Sequence, residues 1–185
     1  MIFDKPETET LIGRTMPTIH IIEGPVGAGK TTYANSLGAE RSTPPLVLDS
    51  WLANLFLADR PETDLWAWYG ERKRRCSTQI MSLAHGLVKH GQDAIVELGL
   101  IKAEDRLSLY SAMETENQAY TVHILDATRD ERQRRVHKRN KEEGETFAML
   151  VSDEVFTLAS DLWEPVGPEE MRGREANFIH VNTDR

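Results

Sequence analysis

A chain of 185 residues, 39% hydrophobic and 28% charged, has room for one globular domain with a substantial core. Its formal net charge of −8 at pH 7 argues against holding a polynucleotide by its phosphates, which needs a positive surface. No apolar run approaches the length of a membrane span, residues 1–16 lack the order of a signal peptide, and the single cysteine, Cys76, excludes an internal disulfide, so the reading is a cytoplasmic protein without a membrane partner.

Residues 1–16 are mostly polar, contain Pro6 and run into Pro17; they read as a tail ahead of one domain over 17–185. The β-branched run 18–23 predicts a buried strand, and 32–37 a helix that Gly38 stops. Between them stands Gly24-Pro25-Val26-Gly27-Ala28-Gly29-Lys30-Thr31, the pattern glycine, any four residues, glycine, lysine, serine or threonine. A triphosphate needs consecutive backbone N–H groups brought close to its oxygens, and glycines permit that approach. The helix that follows adds unpaired amides and a positive dipole end at Thr31 and Thr32. Lys30 is placed to reach the β- and γ-phosphates of ATP, and the Thr31 hydroxyl to bind Mg²⁺.

The run 46–49 reads as a short strand ending in Asp49. Strand ends face the ligand crevice of open α/β sheets, so Asp49 is either a site carboxylate or a helix N-cap. A short helix over 51–57 and a long one over 65–90 follow, the latter with an apolar stripe through Leu65, Tyr69, Cys76, Ile80, Leu83, Leu87 and Val88. The basic run 72–75 cannot all face one way on a helix; one member could reach a substrate anion. Trp51, Trp66 and Trp68 are candidates for an acceptor pocket or for core, and His85 and His90 take no role.

The run 93–99 reads as a strand that brings Glu97 to its C-terminal end as a second Mg²⁺ candidate. An amphipathic helix over 102–116 carries Arg106, which could reach back to the pocket, and a strand over 119–126 leads into a basic helix over 128–141. There Arg132, Arg135 and Arg139 share a face, a concentration of charge suited to a γ-phosphoryl group in transfer. Gly144 predicts a hinge and 140–152 a lid. A helix over 152–163, a loop over 165–173 and a strand over 177–183 complete the chain.

Alternating strands and helices predict a three-layer α/β fold with a mainly parallel five-stranded sheet and helices on both faces. Together, the loop Gly24 to Thr31, Leu48-Asp49-Ser50, and Leu125-Asp126-Ala127 leading into Arg132, Arg135 and Arg139 resemble the small P-loop kinases. The group concerned is that of zeta-toxin, chloramphenicol phosphotransferase and polynucleotide 5′-hydroxyl kinase, and the resemblance covers roughly residues 17–185. It implies a P-loop NTPase fold with a short arginine-rich lid, with Asp49 as general base and Arg132, Arg135 and Arg139 clamping the phosphates. Glu97 stands where the third strand of such kinases often ends in aspartate. The expectation is an ATP- and Mg²⁺-dependent phosphotransferase acting on a small-molecule hydroxyl. The alternatives are a kinase of a nucleic-acid 5′-hydroxyl or nucleotide sugar, and a non-catalytic ATP-dependent switch.

Overall fold

Short β-branched runs without polar alternation must be covered on both faces, and parallel pairing with helical crossovers achieves that. In the computed structural model, which describes residues 16–142 and 150–184, five strands do so. They are β1 (Ile19–Glu23), β2 (Leu46–Val47), β3 (Ala94–Glu97), β4 (Tyr120–Asp126) and β5 (Phe178–Asn182), in the order β2-β3-β1-β4-β5. All four pairings are parallel, and Ile21 of β1 registers with Val96 on one side and Val122 on the other.

The crossovers are α1 (Lys30–Arg41), α2 (Leu48–Phe56), α3 (Leu65–Lys89), α4 (Ala103–Thr115), α5 (Arg129–Glu142), α6 (Asp153–Leu162) and α7 (Pro168–Met171). Alternation along the strands splits the core in two. Ile19, Ile21, Val96 and Val122 pack with Ile80 and Ala84 of α3 and Tyr110 and Met113 of α4. Ile22, Ile95 and Leu125 pack on the other face with Ala34 and Leu37 of α1. From β1 the chain goes outward to β2 on one side and later to β4 on the other, so the loop after β1 opens at the point where strand order reverses.

Three local expectations change. Gly38 does not stop α1, which runs on to Arg41 and ends at Ser42 in the left-handed conformation. A Cβ at Gly38 would lie 2.7 Å from the Thr43 carbonyl oxygen, so this glycine serves the close return of the chain rather than a helix stop. The strand read over 46–49 ends at Val47, and the loop over 165–173 contains α7, with Pro168 in its first turn. The tail 1–16 lies outside the described residues except for Met16, and so does Gly144. The ends of the segment around it are joined: Asn140 Nδ2 donates to the Val151 carbonyl at 2.7 Å, and Val151 N donates to Asn140 Oδ1 at 3.3 Å. Among the described residues no helix is long and apolar enough to cross a membrane.

Candidate active site

The glycine loop lies against α5. Gly27 has φ +79°, and a Cβ there would sit 2.5 Å from the Arg132 carbonyl oxygen, so no other residue fits without displacing the backbone of α5. The Lys30 ammonium, at the start of α1, donates to the Pro25 carbonyl at 3.2 Å and stands 3.8 Å from Glu97 Oε1. The Thr31 hydroxyl donates to Glu97 Oε2 at 2.9 Å. Glu97, the last residue of β3, is buried, and burial raises its carboxyl pKa against the pull of Lys30; Asp49 adds to the rise, and Thr31 and Arg139 oppose it. Lys30, Thr31, Asp49, Glu97 and Arg139 therefore share one electrostatic neighbourhood.

Asp49 is neither a strand end nor an N-cap. Helix α2 starts directly after β2, with Val47 in the cap position, and Asp49 falls in the first helical turn, where the dipole favours a carboxylate. Its side chain is exposed. Facing it from α3 is Tyr69, whose hydroxyl pKa is pushed up to about 12, first by burial and then by the Asp49 charge. Tyr69 was legible only as a member of the apolar stripe; its polar end meets the site because α2 packs along α3.

The arginines of α5 do not act as one clamp. Arg132 is buried: Nε donates to the Ala127 carbonyl at 3.2 Å, and Nη1 to the Val26 carbonyl at 3.0 Å and Ser160 Oγ at 3.1 Å. It braces the glycine loop from behind, a departure from the phosphate-facing role expected of it. Arg135 donates from Nε to Glu131 Oε1 at 2.7 Å, from Nη1 to Thr183 Oγ1 at 3.1 Å, and from Nη2 to the Thr183 carbonyl. Its donors are thus also engaged within the protein. Arg139 differs: among the described residues its Nε and Nη2 are buried without an acceptor. Burial lowers its pKa while Asp49 and Glu97 oppose the fall.

Of the remaining candidates, Trp51 packs on the core, Trp66 is 75% exposed, and Trp68 lies under Arg72 with its ring centre 4.5 Å from the guanidinium carbon. The tryptophans thus occupy three different environments. Arg106 does not reach the pocket; it is fully buried, with Nε 2.6 Å from Glu170 Oε1 and Nη2 2.8 Å from Oε2. Glu23, given no role in the sequence reading, ends β1 directly before Gly24 and is buried, with Oε1 unpartnered among the described residues. Burial pushes its pKa up to about 8 against the pull of Arg106 and Lys30.

A family profile described as an AAA domain matches residues 19–160, from β1 into α6. The chain belongs to this AAA-domain family of P-loop proteins. Its fold is shared with a gluconokinase from Sinorhizobium meliloti at 15% identity and a TM-score of 0.55, over 93% of this chain and 86% of that one. A sugar kinase from Janibacter sp. superposes at 16% identity and a TM-score of 0.55, over 90% of this chain and 85% of that one. A chain of the Pnkp1/Rnl/Hen1 RNA repair complex matches at 17% identity and a TM-score of 0.58, over 80% of this chain and 44% of that one. A comparison with curated protein sequences finds no match.

Proposed function

We propose that the protein is an ATP-dependent kinase that moves the γ-phosphoryl group to a hydroxyl of a small molecule. The observation that carries this reading is the sharing of one electrostatic neighbourhood by an exposed carboxylate, Asp49, with Lys30, Glu97 and Arg139, whose Nε and Nη2 meet no acceptor among the described residues. The fold shared with a gluconokinase and a sugar kinase is compatible with it.

In this reading the loop amides and Lys30 hold the β- and γ-phosphates. Asp49 accepts the proton of the acceptor hydroxyl as its oxygen bonds to the γ-phosphorus; the bond from that phosphorus to the bridging oxygen breaks, and ADP leaves with the electron pair. Arg139 donates to the γ-phosphoryl oxygens as charge spreads over them, and Arg132 keeps the loop in register through Val26. Arg135 fixes the chain beside Ala28 through Thr183, whose hydroxyl lies 3.0 Å from the Ala28 carbonyl. Thr31 and Glu97 supply two hard oxygen donors on one side of the loop, a set that suits Mg²⁺ completed by phosphate and water. Among the described residues no cluster of three His, Cys, Asp or Glu could hold a metal alone, which accords with a cation that needs the nucleotide's oxygens. Bound there, Mg²⁺ offsets the phosphate charge.

The test is ADP release from Mg²⁺-ATP across a panel of small alcohols, nucleosides, nucleotide sugars and a 5′-hydroxyl oligonucleotide, with Asp49→Asn beside the wild type. A small alcohol is expected to stimulate release, and the variant to lose about 10²- to 10⁴-fold in kcat at unchanged ATP affinity. If nothing stimulates release and the variant matches the wild type, a nucleotide-dependent switch replaces the kinase reading.

A further inference from the structure

Resting on the kinase reading, we propose that the phosphoryl acceptor is an anionic alcohol whose carboxylate or phosphate is received by Arg72. Of the basic run 72–75, Arg72 is the member with a buried donor that meets no acceptor among the described residues, whereas Arg75 is exposed. Lys73 Nζ donates to the Gly99 carbonyl at 3.0 Å, and Arg74 Nη2 pairs with Glu71 Oε1 at 3.0 Å. Arg72 is half-buried; its Nη1 donates to the Trp68 carbonyl at 3.2 Å, and its Nε is buried with no partner. Among the described residues no carboxylate lies within ion-pair distance of it, although the chain carries 30 acidic residues against 22 basic ones. A buried guanidinium N–H without an acceptor is costly, and its recurrence in a native fold calls for a missing partner.

The side chain is also held ready. Its guanidinium carbon lies 4.5 Å from the Trp68 ring centre and 5.6 Å from that of Phe56, so the planar fork is stacked between α3 and the end of α2. An anion meeting it loses little to reordering, and the aromatic surroundings keep water away.

Its position relative to the reacting end follows from helix geometry. Tyr69, which feels the Asp49 charge, is three residues before Arg72 on α3, and Phe56, which lies under Arg72, is seven residues after Asp49 on α2. Both spacings keep each pair on one helix face. Asp49 and Arg72 thus lie on the two helices that pack together, α2 and α3, each linked to the other helix by one of these contacts. In the proposed arrangement a small hydroxy acid or sugar phosphate places its hydroxyl at Asp49 and its anionic group at Arg72. Arg139, in electrostatic range of both Asp49 and Glu97, is left for the phosphates of the nucleotide.

The experiment compares sugar acids, sugar phosphates and the neutral sugars or polyols of the same carbon number. Two readouts are taken on the full chain: calorimetric binding without nucleotide, and ADP release with Mg²⁺-ATP. One anionic class is expected to bind and to be turned over with a kcat/KM at least about tenfold above its neutral counterpart, and the two anionic arms separate carboxylate from phosphate. Arg72→Met should raise Kd and KM for that acceptor about 10- to 100-fold with ATP affinity unchanged, and Arg72→Lys should recover only part of the loss. A melting curve of each variant shows whether it is folded; if Arg72→Met is not, Arg72→Lys carries the test. Preference for neutral acceptors, or anion binding that both variants leave untouched, overturns the inference and makes Arg72 a stacking residue between α2 and α3. If anions bind through Arg72 but nothing is phosphorylated, the kinase reading falls while the anion site stands.

Discussion

Arg106 and Arg139 are both half-hidden or wholly hidden guanidiniums on helices that follow a core strand, yet the fold treats them in opposite ways. Arg106 spends its donors inside the protein: two meet Glu170, Nη1 meets the Leu100 carbonyl at 3.2 Å, and Nη2 meets the Glu164 carbonyl at 2.8 Å. The Trp163 ring covers its face, with the ring centre 4.8 Å away. Arg139 has Asp49 and Glu97 in electrostatic range, but Nε and Nη2 meet no acceptor among the described residues. A satisfied buried charge holds the fold together; one without an acceptor among the described residues is, in the proposed reading, open to a ligand.

The comparison is broken most directly at Arg106. Arg106→Met leaves Glu170, which is 4% exposed, as a buried carboxylate with no cation, and is expected to cost about 3–5 kcal/mol of unfolding free energy. Urea denaturation measures it; a loss below about 1 kcal/mol would mean that the pair is replaceable by packing. ATP affinity of the folded fraction should not move. Arg139→Met should do the reverse. It removes a charge whose desolvation is not repaid within the protein, so stability holds or rises, while kcat falls about 10²- to 10³-fold, the usual effect of losing one donor to a developing anion. A variant that both unfolds and keeps its turnover would put Arg139 with Arg106.

The sequence could not have separated these two residues. The glycine loop was legible because its chemistry is local: the residues that meet the phosphate are consecutive, and the flanking strand and helix appear as β1 and α1. The five strands and Glu97 at the end of β3 were legible for the same reason. The helix period placed Arg132, Arg135 and Arg139 on one face, but a face does not name its partner. Arg132 meets Val26, 106 positions away in the chain, and Arg135 meets Thr183, 48 positions away. Tyr69 and Arg72 were hidden likewise, since their meaning depends on how α2 lies along α3. Gly38 misled because glycine ends helices and also permits close contact, and only the path of residues 42–45 shows which is at work.

A third buried polar group sharpens the contrast from the neutral side. Between the sheet and α1, Tyr33 OH lies 2.9 Å from His123 Nδ1, His123 Nε2 lies 3.0 Å from His20 Nδ1, and His20 Nε2 stands 3.7 Å from Asp93 Oδ2. One arrangement keeps both imidazoles neutral: Tyr33 donates to His123 and His123 donates to His20, while the buried His20 Nε2 has no hydrogen-bond partner among the described residues. Arg41 of α1 lies 3.3 Å from the same Asp93 oxygen, and Glu40 stands near Tyr33. Burial holds His123 down at about 4, with His20 and Arg41 adding to the fall, and burial also lowers His20 against the pull of Asp93. The unfolded chain protonates both near the ordinary value of about 6.5, so it binds more protons than the folded chain below that pH. Stability from this chain is therefore complete above pH 6.5 and drains away as pH falls toward 4, by on the order of 3 kcal/mol for His123. Urea denaturation at steps between pH 7 and pH 4.5 should show that slope in the wild type and a shallower one in His20→Leu/His123→Leu. The same variant at pH 7 should turn over ATP and acceptor at the wild-type rate, because the chain lies on the α1 face of the sheet and touches neither Asp49 nor Arg139. A change in kcat there would mean that α1 transmits the state of the histidines to Lys30 and Thr31 at its start, and the division between satisfied and waiting groups would no longer hold.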